Sequence, residues 1–172
     1  MNIWVTADHH FWHKNILEYE KEARSIFKDV EDMNEQMIAR WNEVVSKEDT
    51  VYHLGDFCLA NKEKTRAILD RLNFWRIFLI RGNHEQCRTT TWLKDVGFTE
   101  VFREPCCYGD GSILLSHHPL VVLPSENIKT VIHGHIHSKD LGTDNDAYKR
   151  AKYINVSVEK TNFYPVRLES LI

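Results

Sequence analysis

The chain has 172 residues, 42% of them hydrophobic and 27% charged, with a formal charge of −3. That is the length of one domain able to enclose a core, and so small a net charge advertises no broadly basic nucleic-acid-binding surface, although it is compatible with a locally basic groove because it reports only the sum. Four cysteines, Cys58, Cys87, Cys106 and Cys107, suit neither a compact disulfide framework nor a zinc knuckle and read as reduced thiols.

In chain order, Asn2 to Ala7 reads as a buried strand that opens straight into Asp8-His9-His10. No basic and then apolar leader precedes it, and nothing reaches the length of a membrane span, so a cytoplasmic protein is expected. From Asp29 to Ser46, the residues Val30, Met33, Met37, Trp41, Val44 and Val45 recur at three- and four-residue steps. They mark one face of a helix with Asp29 as its N-cap. Thr50 to Leu54 is predicted as a strand ending at Gly55-Asp56, Lys62 to Leu72 as a helix, and Ile77 to Ile80 as a strand before Gly82-Asn83-His84-Glu85. Thr91 to Val96 makes a helical turn or two, stopped by Gly97. Thr99–Glu104 and Ser112–Leu115 flank the turn Tyr108-Gly109-Asp110-Gly111, which predicts a hairpin. Thr130 to Ile132, Tyr153 to Val158 and Pro165 to Leu168 add strands. One domain over residues 1–172 is expected.

Five motifs each follow an apolar run: Asp8-His9-His10, Gly55-Asp56, Gly82-Asn83-His84-Glu85, His117-His118-Pro119 and Gly134-His135-Ile136-His137. They supply two carboxylates, an asparagine amide and several imidazoles, a donor set for two neighbouring divalent ions. Such a pair points to hydrolysis at phosphorus. In layered α/β folds ligands gather outside the carboxyl ends of strands, which is where Asp8, Asp56, Asn83, His117 and His135 fall. Asp8 and His10 stand two residues apart, as do His135 and His137. In an extended backbone both members of each pair face one side and can grip one ion. Gly134 provides close approach or an unusual backbone angle. Asp56 can serve two ions, one through each oxygen. Singly, each motif also reads as a solvated turn, a helix cap or a strand end; in this order they do not. Pattern alone permits a doubly wound sheet equally well.

Taken as DxH, GD, GNHE, H and GHxH, the motifs from Asp8 to His137 resemble the calcineurin-like metallophosphoesterase superfamily. Asp8 to Asn15, Met33-Asn34-Glu35, Trp41-Asn42 and Val51 to Asp56 are similar to a small bacterial and phage branch of it. The resemblance implies an α/β fold in four layers, two mixed β-sheets in a sandwich flanked by helices. It implies Asp8, His10 and His137 at a first ion, Asp56 bridging, and Asn83, His117 and His135 at a second. His84 takes the catalytic role of contacting the phosphate and protonating the leaving oxygen. Two ions roughly 3.5–4 Å apart would hold a bridging water, lower its pKa toward about 7 and clamp the phosphoryl oxygens for in-line attack. Manganese is the first expectation for both divalent ions, with iron, zinc or nickel compatible with the same donors.

The expected substrate is a phosphate mono- or diester, a small ester or a nucleotide, with no membrane partner and no long duplex nucleic acid. His13, Lys14 and Asn15 follow the first motif closely enough to reach substrate, and Arg24 and Arg81 can neutralise phosphate. His9, between two ligands, is expected to point away into packing. The loops Phe11–Phe27, Leu59–Glu63, Glu85–Thr91 and Ser138–Lys152 are left to set selectivity. Two other readings stand: a nuclease or nucleotide-end processing phosphoesterase, and a non-catalytic scaffold of the same fold, disfavoured because all seven ligand positions are filled.

Overall fold

The computed structural model describes residues 1–142 and 146–172, so part of the 138–152 loop lies outside the described residues. Two mixed sheets pack face to face. The first has the order β4 (Glu100–Phe102), β3 (Arg76–Ile80), β2 (Thr50–His53), β1 (Ile3–Thr6), β9 (Val166–Arg167), all parallel except β9. The second has the order β5 (Cys106–Tyr108), β6 (Ile113–Leu115), β7 (Thr130–His133), β8 (Lys152–Asn155), with only β5 antiparallel.

Side-chain alternation sorts each strand between two cores. Val5, Ala7, Leu54 and Ile80 of the first sheet meet Ile113, Leu115 and Ile132 of the second. Trp4, Val51, Ile77 and Leu79 point the other way, onto the helices. Those are α2 (Val30–Val44), α3 (Lys62–Leu69) and α4 (Thr90–Val96); α1 is a four-residue turn, Ile16–Tyr19. The outer face of the second sheet is covered more thinly, by Leu120 and Leu123 from a loop and by Ala151 against Leu114 and Val131. Among the described residues no helix is long and apolar enough to cross a membrane.

Helix α2 forms as its pattern predicts. Asp29 is the N-cap, its carboxylate accepting from Asp32 N at 2.8 Å, and Met33, Met37, Ile38 and Trp41 are buried. Helix α3 stops at Leu69 rather than Leu72, because Arg71 and Leu72 tighten onto the carbonyls of Ile68 and Leu69. Gly97 ends α4 at φ 133°, a backbone angle that favours glycine.

The hairpin differs from expectation. Its first strand is Cys106–Tyr108, with Tyr108 opposite Ile113, whereas Glu100–Phe102 runs parallel to β3 in the other sheet. Pro105, which has no N–H to donate, separates the two strands. The strand predicted over Tyr153 to Val158 also divides. Lys152–Asn155 stays in the second sheet, while Val156 to Val158 leaves it to pair with Ala7: Ala7 N donates to Val156 O and Val158 N to Ala7 O, each at 3.1 Å. That bridge stitches the two sheets together at the carboxyl end of β1.

At the opposite end of β1, buried Asp49 accepts from Asn2 N at 2.6 Å, Ser46 N at 3.0 Å and Trp4 Nε1 at 3.0 Å. Burial alone would raise its pKa, but these hydrogen bonds outweigh it and hold the carboxyl well below its usual range. Asp49→Ala should cost on the order of 3 kcal/mol, because it leaves three donors without their acceptor. Its stabilisation is complete above the unfolded pKa of about 3.9 and is lost as acid carries the pH down through the lower folded value. Thermal melts should show a lower Tm for the variant at neutral pH and a shallower loss of stability below about pH 4.

Candidate metal centre

The carboxyl ends of β1, β2, β3, β6 and β7 open at one place, and the five motifs meet there. Backbone hydrogen bonds zip the first two together: Asp8 N donates to Gly55 O at 3.0 Å and His10 N to Asp56 O at 3.0 Å. The backbone is not extended, as the two-residue spacing suggested. Asp8, His10, Asp56, His135 and His137 all have positive φ, between 51° and 71°. Asp and His tolerate this left-handed region better than most residues, but each such position still costs of order 1–3 kcal/mol. It is the alternation of left-handed residues that turns Asp8 with His10, and His135 with His137, toward one side.

The ligand atoms of Asp8, His10 and His137 lie within 4.8 Å of one another, and so do those of Asp8, Asp56 and His117. Asp56 Oδ2 is 3.5 Å from both His10 Nε2 and His117 Nε2. On the far side, Asn83 Oδ1 is 3.0 Å from His117 Nε2 and 3.1 Å from His135 Nδ1. The structure therefore brings all seven sequence-derived ligand candidates together, as two adjoining cradles with Asp56 between them.

Three observations show that this cluster fits cations. Asp8 Oδ1 and His10 Nε2 are buried without a hydrogen-bond partner, whereas buried polar atoms are normally satisfied. His117 Nδ1 can only donate to the Leu54 carbonyl at 2.7 Å, so Nε2 presents a lone pair to the oxygens of Asn83 and Asp56. Acceptors facing acceptors require a positive charge among them. Burial also pushes Asp8 up to about 8 and raises Asp56, and it lowers His117 to about 3 and His135 to about 4. Without a cation these two carboxyls are short of counter-charge, beside His117 and His135 held neutral; a dication among them would supply that charge and keep the carboxyls ionised, as metal ligation requires.

Supporting residues hold the cradles in place. Asp8 Oδ2 accepts from His135 N and Ser157 Oγ, both at 2.8 Å, which leaves Oδ1 for the centre. Glu159 Oε1 accepts from His137 Nδ1 at 3.0 Å, leaving Nε2 available. Burial opposes charge on His137, but the Glu159 carboxylate outweighs it and holds the imidazole above its usual value. Glu85 is buried and clamps two loops, accepting from Asp56 N, Phe57 N and Gly82 N at 2.8–2.9 Å. Burial raises its carboxyl to about 7. Glu159 and Ser157 escaped the sequence reading because they reach the site through the long-range bridge to Ala7; no local motif marks them.

The looser candidates separate. His13 is at the centre, its Nδ1 3.0 Å from His10 Nδ1 and its ring 5.6 Å from that of His84. Lys14 and Asn15 instead line a separate surface groove with Lys28 to Glu31. Arg24 does not face phosphate. Its buried guanidinium donates to the carbonyls of Asp8 and His9 and pairs with Glu159 at 2.6 Å, so it braces the first motif from behind. His9 packs inward as expected, stacked on Phe11 and 3.0 Å from His53 Nε2. His84 stands at the mouth with 34% of its side chain exposed, its Nε2 3.9 Å from Asp56 Oδ2. Its backbone N donates to Asp56 Oδ1 at 3.0 Å.

Gly134 serves close approach, not an unusual angle. A methyl there would overlap Asp8 Oδ2 and come within 2.5 Å of Ala7 Cβ. Gly134→Ala should push Asp8 out of place, lowering stability by about 1–3 kcal/mol and metal retention with it. Melting curves and elemental analysis of the purified variant check this; unchanged metal content would show that Asp8 is not a ligand.

Comparison with known proteins gives the following. A family model described as calcineurin-like phosphoesterase matches residues 1–139. An uncharacterised protein of Methanocaldococcus jannaschii is 36% identical over 172 residues, which cover 99% of this chain and 89% of that protein. The gene 66 protein of Mycobacterium phage L5 is 31% identical over 168 residues, 80% of this chain and 78% of that protein. The crystal structure of a protein of unknown function from Aquifex aeolicus matches with a TM-score of 0.78 at 28% identity, over 99% of both chains.

Proposed function

The chain belongs to the calcineurin-like phosphoesterase family, and from that membership we propose that it is a phosphoesterase that works with two divalent cations on a small phosphate ester or nucleotide. Asp8, His10 and His137 hold one cation, Asn83, His117 and His135 the other, and Asp56 serves both. When bound, the cations supply an activated water and positive charge against the phosphoryl oxygens.

The observation that carries this reading is the group of buried, unpartnered acceptors around Asp56. Among the described residues only the carboxylates of Asp8 and Asp56 face the cradles, so a pair of dications leaves a surplus of positive charge that attracts an anionic ester. Asp56 is kept in orientation by His84 N and, through its own backbone, by Glu85. The partly exposed His84 ring lies beside the place where an ester over Asp56 meets solvent, and a proton on its Nε2 is positioned for the leaving oxygen. His13 flanks the same mouth. Manganese is our first choice of metal, and the cytoplasm our choice of compartment.

Protein stripped with chelator and reloaded with Mn²⁺ should hydrolyse bis(p-nitrophenyl) phosphate, and chelator should abolish that hydrolysis. Inactivity toward mono-, di- and cyclic phosphates with Mn, Fe, Zn and Ni alike would favour the non-catalytic scaffold instead.

A further inference from the structure

A cavity of about 300 Å³ adjoins the second cradle, sharing Gly82 and His117 with it as walls but none of Asp8, His10, Asp56 or His137. Its floor is built by the ends of two neighbouring parallel strands. Arg81 follows β3 and Arg103 follows β4, and Arg81 N donates to Phe102 O at 3.0 Å. Both residues line the cavity, as does Gln86. Glu104 also lines it, so one carboxylate stands against two guanidinium groups.

Arg81 is held but not satisfied. Its Nη2 donates to Thr90 Oγ1 at 2.9 Å, while its Nε is buried without an acceptor. Burial and the neighbouring Arg103 both work against its charge. Arg103 is exposed and makes no hydrogen bond or ion pair with the described residues. Two like charges at one cavity wall repel each other, and that repulsion ends when an anion lies between them. Guanidinium forks match phosphate oxygens in charge and geometry.

We propose that this cavity is a subsite for a second, non-scissile phosphate group of the substrate, gripped by Arg81 and Arg103 while the ester to be cleaved lies over Asp56. The inference rests on the phosphoesterase reading above and narrows its substrate class to phosphoesters that carry another phosphate nearby. A simple diester such as bis(p-nitrophenyl) phosphate leaves the subsite empty and is a poor substrate by comparison.

Two measurements test it. First, metal-free protein is titrated with inorganic phosphate while the arginine side-chain N–H resonances are followed by NMR. Arg81 and Arg103 should shift together with a Kd on the order of 1 mM, and Arg103→Gln should remove the shift from Arg81. Second, the Mn²⁺-loaded protein is given thymidine 5′-(p-nitrophenyl phosphate) with and without a 3′-phosphate. The 3′-phosphate should raise kcat/KM about tenfold, through KM, and in Arg103→Gln the ratio should fall toward unity. Equal cleavage of the two esters by the unmodified protein, or a ratio that Arg103→Gln leaves intact, overturns the subsite. If neither ester is cleaved, it is the phosphoesterase reading that fails, and the phosphate titration then decides the anion site alone, with no shift overturning it.

Discussion

Asp56→Asn is expected to lower kcat/KM by on the order of 10³ or more and to leave the purified protein with at most one of its two cations. The reason is positional. Asp56 Oδ2 lies 3.5 Å from His10 Nε2 in one cradle and 3.5 Å from His117 Nε2 in the other. Asp8 Oδ1 also comes within 3.9 Å of His117, but of Nδ1, the nitrogen that donates to the Leu54 carbonyl and so is turned away from a cation. Asparagine keeps the shape of the side chain and removes its charge, so the fold should survive while the centre does not. The backbone supports of this position, Asp56 N to Glu85 and His10 N to Asp56 O, do not involve the side chain. Elemental analysis, kinetics and a melting curve on one preparation separate the effects. Full metal content in Asp56→Asn would show that the carboxylate does not bridge.

His84→Ala is expected to behave differently, reducing kcat by about 10² to 10³ with both cations retained. Its ring is more exposed than those of His10 and His117, and its contact with Asp56 Oδ2 is the longest of the three, at 3.9 Å. The backbone N–H of His84, not its ring, is what orients Asp56, and alanine keeps that donor. The deficit should shrink for p-nitrophenyl esters, whose leaving group needs little protonation, and grow for alkyl esters. His10, Asp56 and His84 do, however, lie close enough to form a metal-binding group of their own. Loss of a cation in His84→Ala would therefore reassign this histidine from proton donor to ligand.

The convergence of the site was legible because each motif follows an apolar run, and in parallel sheets the ends of such runs share one edge. That put Asp8, Asp56, Asn83, His117 and His135 within reach of one another before any geometry was known. How they turn inward was not legible. A two-residue spacing implies extended backbone, whereas the chain uses left-handed residues at Asp8, His10, Asp56, His135 and His137, conformations that local propensity disfavours and only the surrounding packing imposes. Arg24 shows a second limit. A charged residue near a phosphate motif suggests a phosphate contact, but whether it faces the substrate or the back of the motif depends on Glu159, 135 positions away in the chain. The hairpin shows a third: the turn at Tyr108 to Gly111 was recognised, but Pro105 decides which residues enter it.

All of this depends on two cations sharing Asp56. The most direct measurement is anomalous diffraction at the manganese edge from crystals grown with Mn²⁺. The account predicts two peaks, one among Asp8, His10 and His137 and one among Asn83, His117 and His135, with an Asp56 oxygen coordinating each. A single peak, or manganese located away from Asp56, would contradict it.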